Sequence, residues 1–320
     1  MFDVISLGSA TKDIFLFMNK TELKPGINKH FLEIPFDKKI EIKNVLSYTG
    51  GSATNSAATF TKCGKKTAFI SAVGSDDDSE FLLKDMVSRG ISTDYAVRLD
   101  GPTPITTILV SSNNHMVVLV YRGIENMLRL EDIRLDFKSK WMYIGALPKD
   151  SYEALPSVIK YCNENDIKIA FNPGSFELEM KIKKLEPILK YIDIISMNND
   201  EAKSFVGYGN DTKNVIKLAS SVKQAAIITK GRNGSIVADK KYIYYADTFK
   251  TKQINFIGAG DAYFSGFVTM LYEGKSIEEA ITFGSFNASS VVKVYGGKEG
   301  ITSEYPEQKL KIRRVKYEKD

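Results

Sequence analysis

From about residue 140 onward, short apolar runs alternate with helix-period segments, and this alternation constrains the fold more than any other feature of the chain. Runs at 140–144, 168–171, 192–196 and 225–229 read as buried strands. Between them, 151–164, 178–190, 201–206 and 212–222 carry helical patterns. Strands alternating with helices of this length form parallel βαβ units within one sheet. The first ninety residues extend the pattern, with strands at 2–8 and 67–73 and helices at 52–61 and 79–89. Asp77 and Glu80 have the spacing of a capping box before the second of these helices, and Gly90 stands just past its end. Two long helices, 260–273 and 277–294, close the pattern. The expected fold is α/β: a doubly wound, mostly parallel sheet flanked by helices.

Two stretches break the rhythm, 14–42 and 97–121. Both read as strand–turn–strand, the second as 105–110, a polar turn at 111–115, and 116–121. Inserted strands without helices of their own suit a small β-sheet lying over the rim of the main sheet as a lid. This divides the chain into a core of 1–13, 43–96 and 122–320 and a lid of 14–42 and 97–121. Exposed apolar strand faces such as 14–18 invite a homodimer through the lid strands.

Composition narrows the function classes. Hydrophobic residues are 43% and charged residues 26%, an ordinary globular balance that argues against whole-chain disorder. No apolar run approaches the roughly 18 residues that span a bilayer. The opening MFDVISLGSATKD lacks the basic-then-apolar order of a secretory signal. With only two cysteines, Cys63 and Cys162, the reading is a cytoplasmic protein without a membrane partner. The net charge is +5, but residues 309–320 hold six Lys/Arg against two acids. The body is therefore nearly neutral, which argues against a nucleic-acid groove, and the tail reads as a solvated basic terminus. His30 and His115 stand alone in the lid segments, so the sequence offers no metal cluster.

The chemistry concentrates at Asn255-Phe-Ile-Gly-Ala-Gly-Asp-Ala-Tyr-Phe-Ser-Gly-Phe267. Gly258, Ala259 and Gly260 are small and stand where a helix begins, so a ligand can approach the backbone. Helix N-termini present unpaired N–H groups and partial positive charge, which suits phosphate oxygens. Asp261, in the first turn, is either an ordinary N-terminal acid or a base beside an anion pocket. Upstream, Gly50 and Gly51 precede another helix that carries Asn55 one turn in. Asp13 follows the first strand, near its carboxyl end, where ligands of open α/β sheets bind.

Together these segments resemble the ribokinase-like (PfkB) carbohydrate kinase family. Further matches follow in order: Gly123-Ile-Glu-Asn126, Asn172-Pro-Gly, Asn198-Asn-Asp-Glu201 and Thr229-Lys-Gly-Arg-Asn-Gly234. The resemblance runs to about Ile301 and implies a ribokinase-like core with a small β-sheet lid. It implies ATP-dependent phosphoryl transfer to an alcohol, with Asp261 as catalytic base and the amides of Gly258, Ala259 and Gly260 as the anion hole. Asn198 and Glu201 would organise Mg²⁺ near the ATP phosphates, with Glu201 as the metal partner. Asn198, Thr229, Gly231 and Gly234 would border the nucleotide, and Asp13, Gly50, Gly51 and Asn55 would hold substrate hydroxyls.

The chain also departs from the family pattern. Asn255 and Phe256 stand where the family usually has Asp-Thr. In potassium-activated members that Asp contributes charge to a monovalent-cation site, and Asn lacks the charge. Asn199 replaces a frequent Glu. A sugar is the expected acceptor. A nucleoside is the alternative, with Phe15, Phe17, Phe31 and Phe36 around its base, although the same residues equally suit the apolar face of a lid sheet. Lys38, Lys39 and Arg122 would serve a phosphorylated or carboxylated substrate if they face the pocket. A non-catalytic sugar- or nucleotide-binding regulator is the reading from another class.

Overall fold

A computed structural model describes residues 1–19, 23–26, 29–207 and 209–318. The chain begins with β1 (Phe2–Leu7), β2 (Thr11–Met18), β3 (Leu23–Gly26), β4 (Lys29–Leu32), β5 (Ile42–Gly50), α1 (Ser52–Lys62), β6 (Thr67–Ile70), β7 (Ala72–Val73) and α2 (Asp77–Ser88). The middle comprises β8 (Val97–Arg98), β9 (Ile105–Val110), β10 (Met116–Tyr121), β11 (Ser139–Ile144), α3 (Leu155–Glu164), β12 (Lys168–Phe171), α4 (Ser175–Glu179) and α5 (Lys181–Leu189). The last part holds β13 (Ile194–Asn198), α6 (Asn199–Val206), α7 (Asp211–Ser221), β14 (Ala225–Thr229), β15 (Ser235–Ala238), β16 (Tyr242–Ala246), α8 (Ala259–Tyr272), α9 (Ile277–Val291) and β17 (Ile312–Lys316).

Nine strands form the large sheet in the order β17-β16-β15-β14-β13-β12-β11-β1-β6. The six from β14 to β6 run parallel, and β15, β16 and β17 extend the sheet antiparallel. Side chains alternate between its faces, as the two-residue period of a strand requires. Ile5, Leu7, Met142 and Ile144 face a core shared with α3, α5 and α7. Val4, Trp141 and Tyr143 face the opposite core with Phe264 and Phe267 of α8 and Phe283 of α9. Helices thus cover both faces, as expected of a doubly wound sheet.

A separate sheet orders as β10-β9-β2-β5. β9 and β10 form the expected hairpin, with Val110 opposite Met116. β2 starts at Thr11 and β5 runs on to Gly50, so this sheet also takes in 11–13 and 43–50. Among the described residues, β3 and β4 pair with each other as a separate two-stranded sheet.

Several elements differ from the sequence reading, each for a local reason. Segment 67–73 splits, because Ala72–Val73 leaves the large sheet to pair with β8. The cap of α2 is Asp76, whose carboxylate accepts from the Ser79 N–H at 3.1 Å. The helix expected over 178–190 is broken at Lys181, whose φ is +61°. The basic terminus is not simply solvated: Ile312–Lys316 pairs antiparallel with β16 as the edge of the large sheet. There the guanidinium of Arg313 stacks on Tyr245 at 4.3 Å and that of Arg314 on Tyr242 at 4.7 Å. Among the described residues, no helix is long and apolar enough to cross a membrane.

Candidate active site

The strand order reverses at β1, with β6 on one side and β11 on the other. In open α/β sheets the crevice at the carboxyl ends beside such a reversal receives ligands. α8 begins over this crevice. Its N-cap, Gly258, has φ +76°, and a Cβ there would lie 2.0 Å from the Gly297 carbonyl oxygen. Only glycine lets the turn pass this close to the loop after α9. Ala259 and Gly260 then line a cavity of about 500 Å³. The Ala259 N–H turns back to the Phe256 carbonyl at 3.3 Å.

Asp261 is half-buried in the first turn of α8. One carboxylate oxygen accepts from the Asn55 side-chain amide at 2.9 Å, the other from the Tyr143 hydroxyl at 3.2 Å. Burial pushes this carboxyl above the ordinary range, while the Asn55 and Tyr143 hydrogen bonds and the Lys298 charge pull it back. Neither donor to Asp261 is charged. The opposite side of the Asn55 amide, Oδ1, is buried and without a partner among the described residues. A buried acceptor left open at a crevice is suited to an arriving O–H donor.

Asp13 belongs to β2 of the small sheet rather than to the end of β1. It is 2% exposed and accepts from the Thr11 hydroxyl at 2.7 Å. Burial raises its carboxyl, and the nearby Asp261 charge adds to that effect. Gly50 stands where a Cβ would come 2.0 Å from an Asp13 carboxylate oxygen, so the absent side chain makes room for that carboxylate. Gly51 caps α1, which delivers Asn55 to Asp261. Asp13, Gly50 and Asn55 therefore converge on the Asp261 crevice.

Asn198, Thr229, Gly231 and Gly234 all line the 500 Å³ cavity with Ala259 and Gly260. Asn198 and Glu201 also form a reciprocal capping box at the start of α6: the Asn198 side chain accepts from the Glu201 N–H at 2.9 Å, and Glu201 accepts from the Asn198 N–H at 2.8 Å. Glu201 lines a neighbouring cavity of about 480 Å³ together with Arg122, Lys149 and Asn172. Its cap uses one carboxylate oxygen and leaves the other available. This fits an ion such as Mg²⁺, which keeps several waters and leans on substrate phosphates.

Asn255, where the family usually has Asp, is buried and fully hydrogen-bonded. Its side-chain oxygen accepts from the Ile257 N–H at 2.9 Å, which fixes the amide orientation. Its NH₂ donates to the Val294 and Gly296 carbonyls at 3.1 and 3.0 Å. Asn255 therefore holds the Val294–Gly296 backbone in place and brings no negative charge to it.

Of the lid aromatics, Phe15 is fully buried with Ile108 and Val110, and Phe17 packs edge-on against Tyr295. Phe36 is 92% exposed, and the side chain of Phe31, like that of His30, lies outside the described residues. The described phenylalanines do not converge on a base. Lys38 and Lys39 are exposed. Sequence reasoning missed Tyr143 and Lys298. Tyr143 sits in an apolar strand run and reads as core, and Lys298 sits in Gly-Gly-Lys-Glu-Gly and reads as an exposed turn.

A family model described as pfkB family carbohydrate kinase matches residues 3–304. The chain is 27% identical over 294 residues to ribokinase of Haemophilus influenzae, covering 85% of this chain and 91% of that one. It is 27% identical over 277 residues to adenosine kinase of Schizosaccharomyces pombe, covering 78% and 82%. Among solved structures it is similar to Arabidopsis thaliana ribokinase complexed with ribose and ATP, with a TM-score of 0.75 and 20% identity over 94% of this chain and 96% of that one. The fold is ribokinase-like, as the motifs implied. With a profile match running from residue 3 to residue 304, the chain belongs to the pfkB family of carbohydrate kinases, a family of ATP-dependent phosphotransferases.

Proposed function

We propose that this protein transfers the terminal phosphoryl group of ATP to a hydroxyl of a sugar, with Asp261 as general base. One observation carries the reading. A half-buried carboxylate and the wall of a nucleotide-sized cavity lie within the same helical turn, at Asp261 and at Ala259–Gly260. Asp261 accepts the hydroxyl proton as the substrate oxygen bonds to the γ-phosphorus and the bond to the β–γ bridging oxygen breaks, releasing ADP. The N–H groups of the Gly258–Gly260 turn meet the negative charge of the transferring group. Asn198, Thr229, Gly231 and Gly234 border the nucleotide, and Glu201 would hold Mg²⁺, which when bound would neutralise charge on the phosphates. Asp13, Asn55 and the small residues Gly50 and Gly51 hold the acceptor. The unpartnered Asn55 oxygen supports a hydroxyl donor there.

The small sheet acts as a lid, since it carries Asp13 and Gly50 while the large-sheet domain carries Asp261. Both cysteines are unpaired, in keeping with a reducing cytoplasm. A nucleoside acceptor is supported by the likeness to adenosine kinase, but Phe15, buried in the lid core, and Phe17, packed against it, do not favour it. The deciding experiment measures ADP release from ATP across a panel of free sugars, sugar acids, sugar phosphates and nucleosides. Turnover confined to nucleosides would replace the sugar reading. ATP binding with no turnover on any acceptor would make the protein a regulator.

A further inference from the structure

Lys298 follows the loop after α9 and is fully buried, at 0% exposure. Its ammonium donates to the Thr49 carbonyl at 2.6 Å and the Thr49 hydroxyl at 2.8 Å, both neutral acceptors. Taking an ammonium out of water costs several kcal/mol unless opposite charges offset it. The charged groups facing it are Asp13 from β2, Asp85 and Arg89 from α2, Asp261 from α8, and its neighbour Glu299. Asp85 and Glu299 already share a cation: Arg89 pairs with Asp85 at 2.9 Å and with Glu299 at 2.7 Å. Asp13 and Asp261 have no such pairing. Among the described residues their hydrogen-bond donors are the Thr11 and Thr106 hydroxyls, the Asn55 amide and the Tyr143 hydroxyl, all neutral.

Two carboxylates in one water-poor pocket do not both ionise unless positive charge is near. The lysine is placed to supply it without obstructing a substrate. Gly297, immediately before it, packs against the Asn55 amide, where a Cβ would lie 2.9 Å away, and its carbonyl oxygen backs the Gly258 turn. We propose that Lys298 is a positioning residue of the transfer reaction: it is the fixed internal counter-charge that keeps Asp13 and Asp261 ionised together, so that one can accept a substrate hydroxyl while the other accepts its proton. This rests on the reading of Asp261 as base.

The test compares kcat/KM from pH 5 to 10, and Tm, for the wild type, Lys298→Met and Lys298→Arg, with Asp261→Asn as a control. Removing a cation from beside a carboxylate raises its pKa, and the base works only when ionised. Lys298→Met is therefore expected to move the acidic limb up by about one pH unit, with activity partly recovered at higher pH. Lys298→Arg keeps the charge and should keep the wild-type acidic limb. Burial holds the Lys298 ammonium down to about 8, so it is still charged through the acidic limb, where the counter-charge acts. A lowered Tm in Lys298→Met with an unmoved acidic limb would make the lysine merely structural and overturn the proposal. If Lys298→Met does not fold, Lys298→Gln, which keeps a donor to Thr49 but no charge, takes its place, and an unmoved acidic limb in it overturns the proposal. An active Asp261→Asn would instead remove the base reading. An inactive Asp261→Asn beside an unmoved limb in Lys298→Met would remove the counter-charge alone.

Discussion

Asp261 meets two opposed demands. Burial disfavours its charged form, while the Asn55 amide and the Tyr143 hydroxyl favour it. A carboxylate has about four acceptor positions, so these two bonds leave capacity for a substrate proton. Asp261→Asn is expected to lower kcat at least about 10²-fold with an unchanged circular-dichroism spectrum. Tyr143→Phe removes one hydrogen bond to the carboxylate, worth about 1.5 kcal/mol, so its kcat should fall about 10-fold. Equal losses in steady-state assays of the two variants would contradict this ranking. Asp261 and Asn55 were legible in the sequence because each stands at a glycine-marked helix start. Tyr143 and Lys298 were not, because nothing local distinguishes a tyrosine that reaches a carboxylate from one in a core, or a buried turn lysine from an exposed one.

At the scale of elements, the parallel strands were legible because strands covered on both faces are continuous apolar runs. The antiparallel extension β15–β17 was not. Its strands are four or five residues long, and Ile312–Lys316 carries three basic residues that suggest a solvated tail. Deleting 309–320 is expected to expose the β16 edge and lower Tm by several degrees, with increased light scattering on heating. The start of α4 provides a pH-dependent test. Glu177 is fully buried and accepts from the Gly174 N–H at 3.0 Å and the Leu147 N–H at 3.4 Å. Burial pushes its carboxyl up to about 7. The folded state then holds a proton that the unfolded chain releases near 4.5, so this stabilisation is full below 4.5 and is lost as pH rises through 7. In urea titrations, the wild type's advantage over Glu177→Gln should shrink by about 3 kcal/mol between pH 4.5 and 7.5. A constant advantage would refute the assignment.

At the scale of the molecule, the proposed site joins the two sheets' domains, since Asp13 stands on β2 of the small sheet and Asp261 on α8, which packs on the large one. β10 is the outer strand of the small sheet, and its Leu119, Val120 and Tyr121 are more than half exposed. If the lid strands pair two copies, sedimentation should show a dimer at micromolar concentration that Val120→Lys shifts toward monomer. A concentration-independent monomer would exclude that assembly. By itself the sequence determined the parallel α/β plan, the inserted strands and the glycine turns before α1 and α8, because periodicity, caps and glycine act within a few residues of chain. Only the tertiary structure decided that residues 13, 55, 143, 261 and 298 lie together and how their charges balance, because burial and electrostatic proximity belong to the packed whole and leave no trace in the local sequence.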